Sequence, residues 1–142
     1  MKIFFTLYED EGIDPIDPVG DIILTDGQTD LLVESTYLDS WFETLIDGLE
    51  GLQSGKKSKL EIVEEPGSII FEPLTSGFKI SYRGREIMIE NLANFIEELT
   101  TATQEFISKL NLQGEVSNKN TILPKIQDFV KKNPTPQTLA RP

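Results

Sequence analysis

Residues 36–110 carry the pattern that most restricts the fold of this chain. A helical apolar pattern comes first, a series of short alternating segments follows, and a second helical pattern ends the region. In the first pattern apolar residues recur every three or four positions, which places them on one side of an α-helix. They are Leu38, Trp41, Phe42, Leu45, Ile46, Leu49 and Leu52. Thr36 is expected to cap this helix and Gly55 to end it.

The remaining positions of this helix form two further rows, because each residue advances by about 100° around the axis. An acidic stripe consists of Asp39, Glu43, Asp47 and Glu50. A small ridge consists of Ser40, Thr44, Gly48 and Gly51. Like charges at this spacing cost a few tenths of a kcal/mol each, and a glycine within a helix costs about 1 kcal/mol. We therefore expect contacts outside the helix to compensate.

Three interpretations of these rows remain open. In the first, the acidic stripe is a solvated face, and the glycines lie near a fraying helix end or under a crossing backbone. In the second, the stripe binds a basic partner while the small ridge lets another helix approach closely. In the third, the basic C-terminal segment of the same chain lies on the stripe.

Alternating segments on both sides of the first helix predict β-strands. Adjacent Phe4 and Phe5 indicate that the first strand is covered on both sides and lies inside its sheet. Asp26-Gly27 predicts a tight turn, and Asn91 is expected to cap the second helix. The apolar side of that helix contains Leu92, Phe95, Ile96, Leu99, Phe106, Ile107 and Leu110.

The fold class predicted from these elements is α+β. We expect one antiparallel sheet of about five to six strands, with the two amphipathic helices packed on one face. Residues 1–112 would form this α+β domain. Residues 113–142 would form a short C-terminal helix and an extended, proline-rich tail.

The chain contains no cysteine and no histidine. These absences exclude disulfides, cysteine-based zinc sites and every catalytic triad that needs an imidazole. It also has no phosphate-binding loop or dinucleotide fingerprint, so we expect neither an enzyme nor a cofactor. The loop before the second strand, Glu9 to Gly20, is rich in carboxylates, which are Glu9, Asp10, Glu11, Asp14, Asp17 and, just beyond it, Asp21. Its spacing lacks the central glycine and terminal glutamate of a calcium loop, so we expect a solvated loop without a metal.

The formal net charge of −11 is concentrated in the first part of the chain. Residues 1–55 hold thirteen acids and one lysine, whereas residues 111–142 hold two acids and five basic side chains. This charge should repel nucleic acid and anionic membranes and favour a basic protein partner. No signal-peptide pattern and no apolar run of membrane-spanning length is present, which favours a cytoplasmic location.

The order of helices, strands and turns in residues 35–110 resembles that of a known group of domains. It consists of a W-F-x-x-L-I-x-x-L helix with a basic exit at Gly55–Lys57, Glu64-Glu65-Pro66-Gly67 between strands, Gly77-Phe78 opening a strand, and an N-x-x-x-F-I helix at Asn91–Ile96. This arrangement resembles small acidic bacterial domains of unassigned function, some of them similar to the immunity proteins that neutralise polymorphic toxins. The resemblance implies binding and occlusion rather than catalysis, and no functional residue carries over from it.

The sequence thus predicts a non-catalytic, acidic protein-binding module that presents Asp39, Glu43, Asp47 and Glu50 to a basic partner. The resemblance would make it an immunity-like inhibitor. Such contacts would speed association and weaken with salt. An alternative is a homo-oligomeric structural or accessory protein that associates through the small ridge or the C-terminal segment. A second alternative is a small-ligand-binding domain, which requires a deep pocket with convergent polar groups.

Overall fold

The structure is a computed structural model of the 142-residue chain, and it describes residues 1–9, 17–111 and 122–133. The strands within these residues are β1 Lys2–Leu7, β2 Val19–Thr25, β3 Asp30–Tyr37, β4 Ser58–Glu61, β5 Ser68–Pro73, β6 Phe78–Tyr82 and β7 Arg85–Ile89. The helices are α1 Leu38–Gln53, α2 Leu92–Asn111 and α3 Leu123–Lys132. The predicted α+β class is confirmed. The predicted proline-rich tail, from residue 134 onward, lies outside the described residues.

The strands form two antiparallel sheets, so the prediction of one sheet of five to six strands was wrong. The first sheet has the order β1-β2-β3 and the second the order β4-β5-β6-β7. The two sheets adjoin along β3 and β7, but no backbone ladder links these two strands. Each sheet pairs strands that follow one another in the chain, and α1 separates the last strand of the first sheet, β3, from the first strand of the second sheet, β4. Side chains bridge the seam instead, as where Arg85 Nη1 donates to the backbone oxygen of Asp30 at 3.1 Å.

The carboxylate of Asp26 forms the second bridge across this seam. Its Oδ1 accepts hydrogen bonds from the backbone N–H groups of Gln28 and Thr29, at 2.8 and 2.7 Å, within the predicted Asp-Gly turn. Its Oδ2 accepts a hydrogen bond from the backbone N–H of Met88 in β7 at 3.0 Å. Burial raises the pKa of Asp26, but these N–H donors outweigh it, so the pKa lies below its ordinary value.

Helix α1 joins both sheets and α2 in one core. All seven apolar residues of its predicted face are buried. The ring of Trp41 lies 5.2 Å from that of Tyr82 in the second sheet. The ring of Phe42 lies 5.6 Å from Phe5 in β1 and 4.8 Å from Phe106 in α2. Aromatic pairs at these distances add about 0.5–1.5 kcal/mol each beyond their buried area, so α1 is the element that unites the fold.

The predicted end of α1 is confirmed and its predicted start is not. Gly55 follows the helix with a φ of +72°, and its N–H donates to the backbone oxygen of Leu52 at 3.0 Å, as in a helix-terminating turn. The prediction of Thr36 as the cap was wrong, because Tyr37 precedes the first helical turn and makes no side-chain cap. Thr36 Oγ1 instead accepts the buried Trp41 Nε1–H at 2.9 Å, an acceptor that a buried indole requires.

Two predictions about the neighbouring elements had different outcomes. Asn91 caps α2 as expected, since its Oδ1 accepts the backbone N–H of Asn94 at 2.7 Å. The prediction that the first strand is internal was wrong, because β1 is an outer strand of its sheet. Phe5 packs inward against α1 and α2, whereas Phe4 points outward and is 56% exposed.

Replacing Asp26 should weaken the seam between the sheets. We expect Asp26→Asn to lower the free energy of unfolding at neutral pH by about 1.5–3 kcal/mol, because a charged acceptor for three backbone donors is lost. A lowered folded-state pKa gives stability that is present above the unfolded-state pKa and disappears as pH falls through the folded-state value. Urea unfolding across a pH series measures this effect, and the variant should converge with the wild type in acid.

The exposed Asp128 supplies the control for this measurement, because Asp128→Asn removes the same charge away from the seam. A difference between Asp26→Asn and the wild type that stays constant down to acid pH would contradict the role given to this carboxylate.

Candidate partner-binding surfaces

The four carboxylates of the acidic stripe differ in their exposure. Asp39 is only 5% exposed, and its Oδ1 accepts the backbone N–H of Ser40 at 2.9 Å. Glu43 and Asp47 are half-buried, and Glu50 is exposed. An approaching protein would therefore meet the last three residues of the stripe and not the first.

Helix α3 lies on this stripe, as the third interpretation of the sequence proposed. Lys125 Nζ lies 2.5 Å from Asp47 Oδ1 and 3.6 Å from Glu43 Oε2. Burial lowers the pKa of Lys125, but the hydrogen bond to Asp47 and the charges of Asp47, Glu43 and Glu50 raise it more, so the pKa lies above its ordinary value. One cation of the same chain thus offsets part of the carboxylate repulsion along α1.

Apolar burial holds α3 more strongly than this charge contact does. Leu123, Ile126 and Phe129 are buried, and α3 contacts both α1 and α2. Each fully buried side chain of this kind contributes about 1.5–3 kcal/mol, whereas an exposed ion pair contributes about 0.2–1 kcal/mol. A partner that competed for the stripe would have to displace the apolar side of α3 as well as Lys125.

The small ridge of α1 is occupied by the second sheet. A Cβ added at Gly48 would lie 2.4 Å from a ring carbon of Phe71 in β5, and one added at Gly51 would lie 2.3 Å from Ser58 Oγ in β4. These glycines therefore permit a close approach of strands from the same chain. The ridge is not a surface on which a helix of another molecule can lie.

A second group of carboxylates lies toward one end of the first sheet, and we call it the acidic end. Glu9 follows β1, Asp17 precedes β2, and Glu34 lies in the C-terminal half of β3. The antiparallel register brings these parts of the strands to the same end of the sheet. All three side chains are exposed, and the ion pairs formed among the described residues do not include them.

Hydrogen bonds at Asp21 fix the backbone of the acidic end. Its Oδ1 accepts the hydroxyl of Tyr8 and the backbone N–H of Ser35, the latter at 3.1 Å. Ser35 has a φ of +52°, and the β2–β3 register shifts between Gly20 and Ile22. In the sequence, Asp21 lies just beyond the carboxylate-rich loop, at the start of a predicted strand. Its hydrogen bonds depend on strand register, so the local pattern could not predict them.

The described residues do not bring a set of metal-binding side chains together. Within residues 1–9, 17–111 and 122–133, no group of three or more metal-binding side chains converges. Asp10, Glu11 and Asp14 of the predicted solvated loop lie outside those residues. A groove of about 440 Å³ between α1 and α3 contains Glu50 and Phe129 together with charges of both signs.

No protein-family model, curated protein or solved structure matches this chain. The resemblance to immunity-like domains therefore stays a prediction. In the part of the chain that the structure describes, no helix combines the length and the apolar character needed to cross a membrane.

Substituting the two ridge glycines should have unequal effects. We expect Gly48→Ala to destabilise the protein by about 1–3 kcal/mol, because the buried Phe71 ring would have to move, and overpacking outweighs the gain in helix propensity. Gly51→Ala should cost less, since the Ser58 hydroxyl can rotate away. Urea unfolding of both variants measures the difference, and equal costs would argue against a close contact at Gly48.

The contributions that hold α3 on α1 can be separated by two variants. We expect Phe129→Ala to lower the free energy of unfolding by about 3 kcal/mol or more through lost burial. Lys125→Gln should lower it by at most about 1 kcal/mol, because the lysine is partly exposed. The raised pKa gives a contribution that is complete below the unfolded-state pKa and disappears as pH rises through the folded-state value.

The exposed Lys131 provides the matched control, since Lys131→Gln removes the same charge from α3 outside the ion pairs of the described residues. Equal effects of the Lys125 and Lys131 changes in urea unfolding would show that the contacts with Glu43 and Asp47 add no stability.

Proposed function

We propose that this chain is a non-catalytic, acidic protein-binding module whose partner carries a basic surface. The observation that carries the proposal is the acidic end, where Glu9, Asp17 and Glu34 are exposed without an ion pair among the described residues. The hydrogen bonds of Asp21 hold the backbone beneath them. Carboxylates fixed in this way attract a basic protein during its approach and add specificity to its docking.

The distribution of charge pairs supports this location. In the second sheet, Lys79 lies 3.6 Å from Glu72 and 3.0 Å from Glu86, and Arg83 lies 3.7 Å from Glu65. Those acids are partly neutralised by neighbours, whereas the acids of the acidic end are not. A distant basic protein therefore meets a negative field beside the first sheet that neighbouring cations do not reduce in this way.

The acidic stripe of α1 has a smaller part in the proposed binding. Glu50 is exposed, and Glu43 and Asp47 keep part of their surface while they bind Lys125. We infer that these residues extend the attractive field without forming its centre. The protein would act by occluding the surface of its partner, as the predicted resemblance to immunity-like domains implies, and in the cytoplasm.

Three forms of the protein, used as bait, test the location of the binding surface. The first is the wild type, and the second is the acidic-end variant Glu9→Gln/Asp17→Asn/Glu34→Gln. The third is the control Glu61→Gln/Glu90→Gln/Glu97→Gln, which changes the net charge equally on exposed positions elsewhere. We expect a basic protein from native lysate to be retained by the wild type and the control at low salt. The acidic-end variant should lose it, because binding there depends on those three charges.

The retained protein is then purified and its association rate is measured against ionic strength for each bait. We expect the association rate to fall steeply with salt for the wild type and the control. For the acidic-end variant, association should be slower and should depend less on salt. Retention of the same protein by all three baits would disprove the acidic end as the binding surface, and retention of nothing by the wild type would disprove the function.

A further inference from the structure

The outer face of the first sheet, on the side away from Phe5 and the helices, carries an apolar row that the core does not use. Phe4 in β1 lies opposite Ile23 in β2, and Ile23 lies opposite Leu32 in β3. Phe4 is 56% exposed and Leu32 is 52% exposed, and Ile23 is half-buried between them. Three apolar side chains in register across a sheet form a continuous patch, which marks an interaction surface.

Exposed apolar side chains are concentrated on this face. Among the described residues, the large apolar side chains that stay exposed are Phe4, Tyr8, Leu32, Val63 and Met88. Tyr8 lies on the same face as Phe4, because alternate residues of an extended chain share a face, and its hydroxyl donates to Asp21. Val63 and Met88 lie outside the first sheet. Single exposed apolar residues are common on protein surfaces, so the group on the first sheet is the feature that needs an explanation.

Carboxylates adjoin the apolar row at one end. Asp21 lies two residues before Ile23, and Glu34 lies two residues after Leu32, so both share the face of the row at about 7 Å along their strands. Glu34 belongs to the acidic end, whose other two acids lie just beyond it. The apolar row and the acidic end therefore form one continuous surface with an apolar centre and a charged rim, which is the composition of protein–protein interfaces.

The charges of this face determine which class of partner fits it. The face carries the carboxylates of Asp21, Asp30 and Glu34 but the single cation Lys2, which lies 3.5 Å from Glu98 of α2. An identical face would bring an equal excess of carboxylates, so two copies stacked on this face would repel each other. A protein that presents apolar side chains beside lysines or arginines is complementary to both parts of the surface.

We infer that the outer face of the first sheet and the acidic end form a single docking surface for a basic protein. Apolar side chains of that protein cover the apolar row, and its lysines or arginines lie over Asp21, Glu34 and the rest of the acidic end. This inference rests on the proposed function and adds a division of roles. Contacts with the apolar row hold the complex together and set its dissociation rate, whereas the acidic end sets the association rate.

Binding kinetics test this division. The probe is the basic protein that the wild-type bait retains from native lysate at low salt. We expect Phe4→Thr/Leu32→Thr to raise its dissociation rate at least roughly tenfold, with little change in the association rate or its salt dependence. The acidic-end variant should mainly slow association. Threonine is chosen because it keeps a high preference for strands.

The control Val63→Thr/Met88→Thr makes the same substitution at two comparably exposed apolar positions outside the first sheet, and it should leave both rates unchanged. Urea unfolding should be similar for the two threonine variants, because all four side chains are exposed.

Photo-cross-linking locates the contact without removing the apolar row. Replacing Phe4 by p-benzoylphenylalanine should give a light-dependent cross-link to the same basic protein. The same replacement at Val63 should give none, and the acidic-end substitutions should reduce the cross-link formed from position 4 at low salt.

The outcomes separate this inference from the proposed function. A dissociation rate unchanged by Phe4→Thr/Leu32→Thr, combined with slow association of the acidic-end variant, would overturn the inference and leave the proposed function standing. So would a cross-link from position 63 and none from position 4. Self-association of the wild type that the Phe4/Leu32 variant loses in sedimentation velocity would assign the face to a second copy instead. A wild-type bait that retains no basic protein would refute the proposed function and this inference together.

Discussion

The enclosure of α1 is the constraint on which the rest of the structure depends. Its apolar side packs against rings from β1, α2 and the second sheet. Its small ridge receives Phe71 and Ser58, and its acidic stripe receives Lys125 of α3. The small ridge and the acidic stripe would each destabilise an isolated helix, because glycines and like charges weaken it. Their neighbours offset that cost, so the locally unfavourable residues of α1 are explained by tertiary contacts.

Signals that act within a few residues could be predicted from the sequence. The apolar side of α1, the Asn91 cap and the Asp26-Gly27 turn all depend on short-range periodicity or on a side chain that bonds its own backbone. The division into two sheets and the outer position of β1 depend on contacts between residues far apart in the chain. The Thr36 prediction failed for a different reason: its hydroxyl is taken by a tryptophan five residues later, and the cap rule does not consider the burial of that indole.

The candidate binding surfaces show the same limit. Helical geometry correctly placed four acids in a row, but only the tertiary structure shows that Asp39 is buried and that Lys125 of α3 offsets two of the others. The acidic end is set by strand register, which alternation alone leaves open. Phe4 was recognised as unusual because it is next to Phe5, yet the pattern could not tell a covered side from an exposed one.

The seam between β3 and β7 is the place where the backbone ladder of the strands is interrupted. A backbone ladder would tie the two sheets together residue by residue, whereas Asp26 and Arg85 provide two separate bridges. Each meander keeps its own ladder, and the core around α1 joins the two. Because the Met88 N–H donates across the seam to Asp26, amide exchange at Met88 would report how often this boundary opens compared with the ladders on either side.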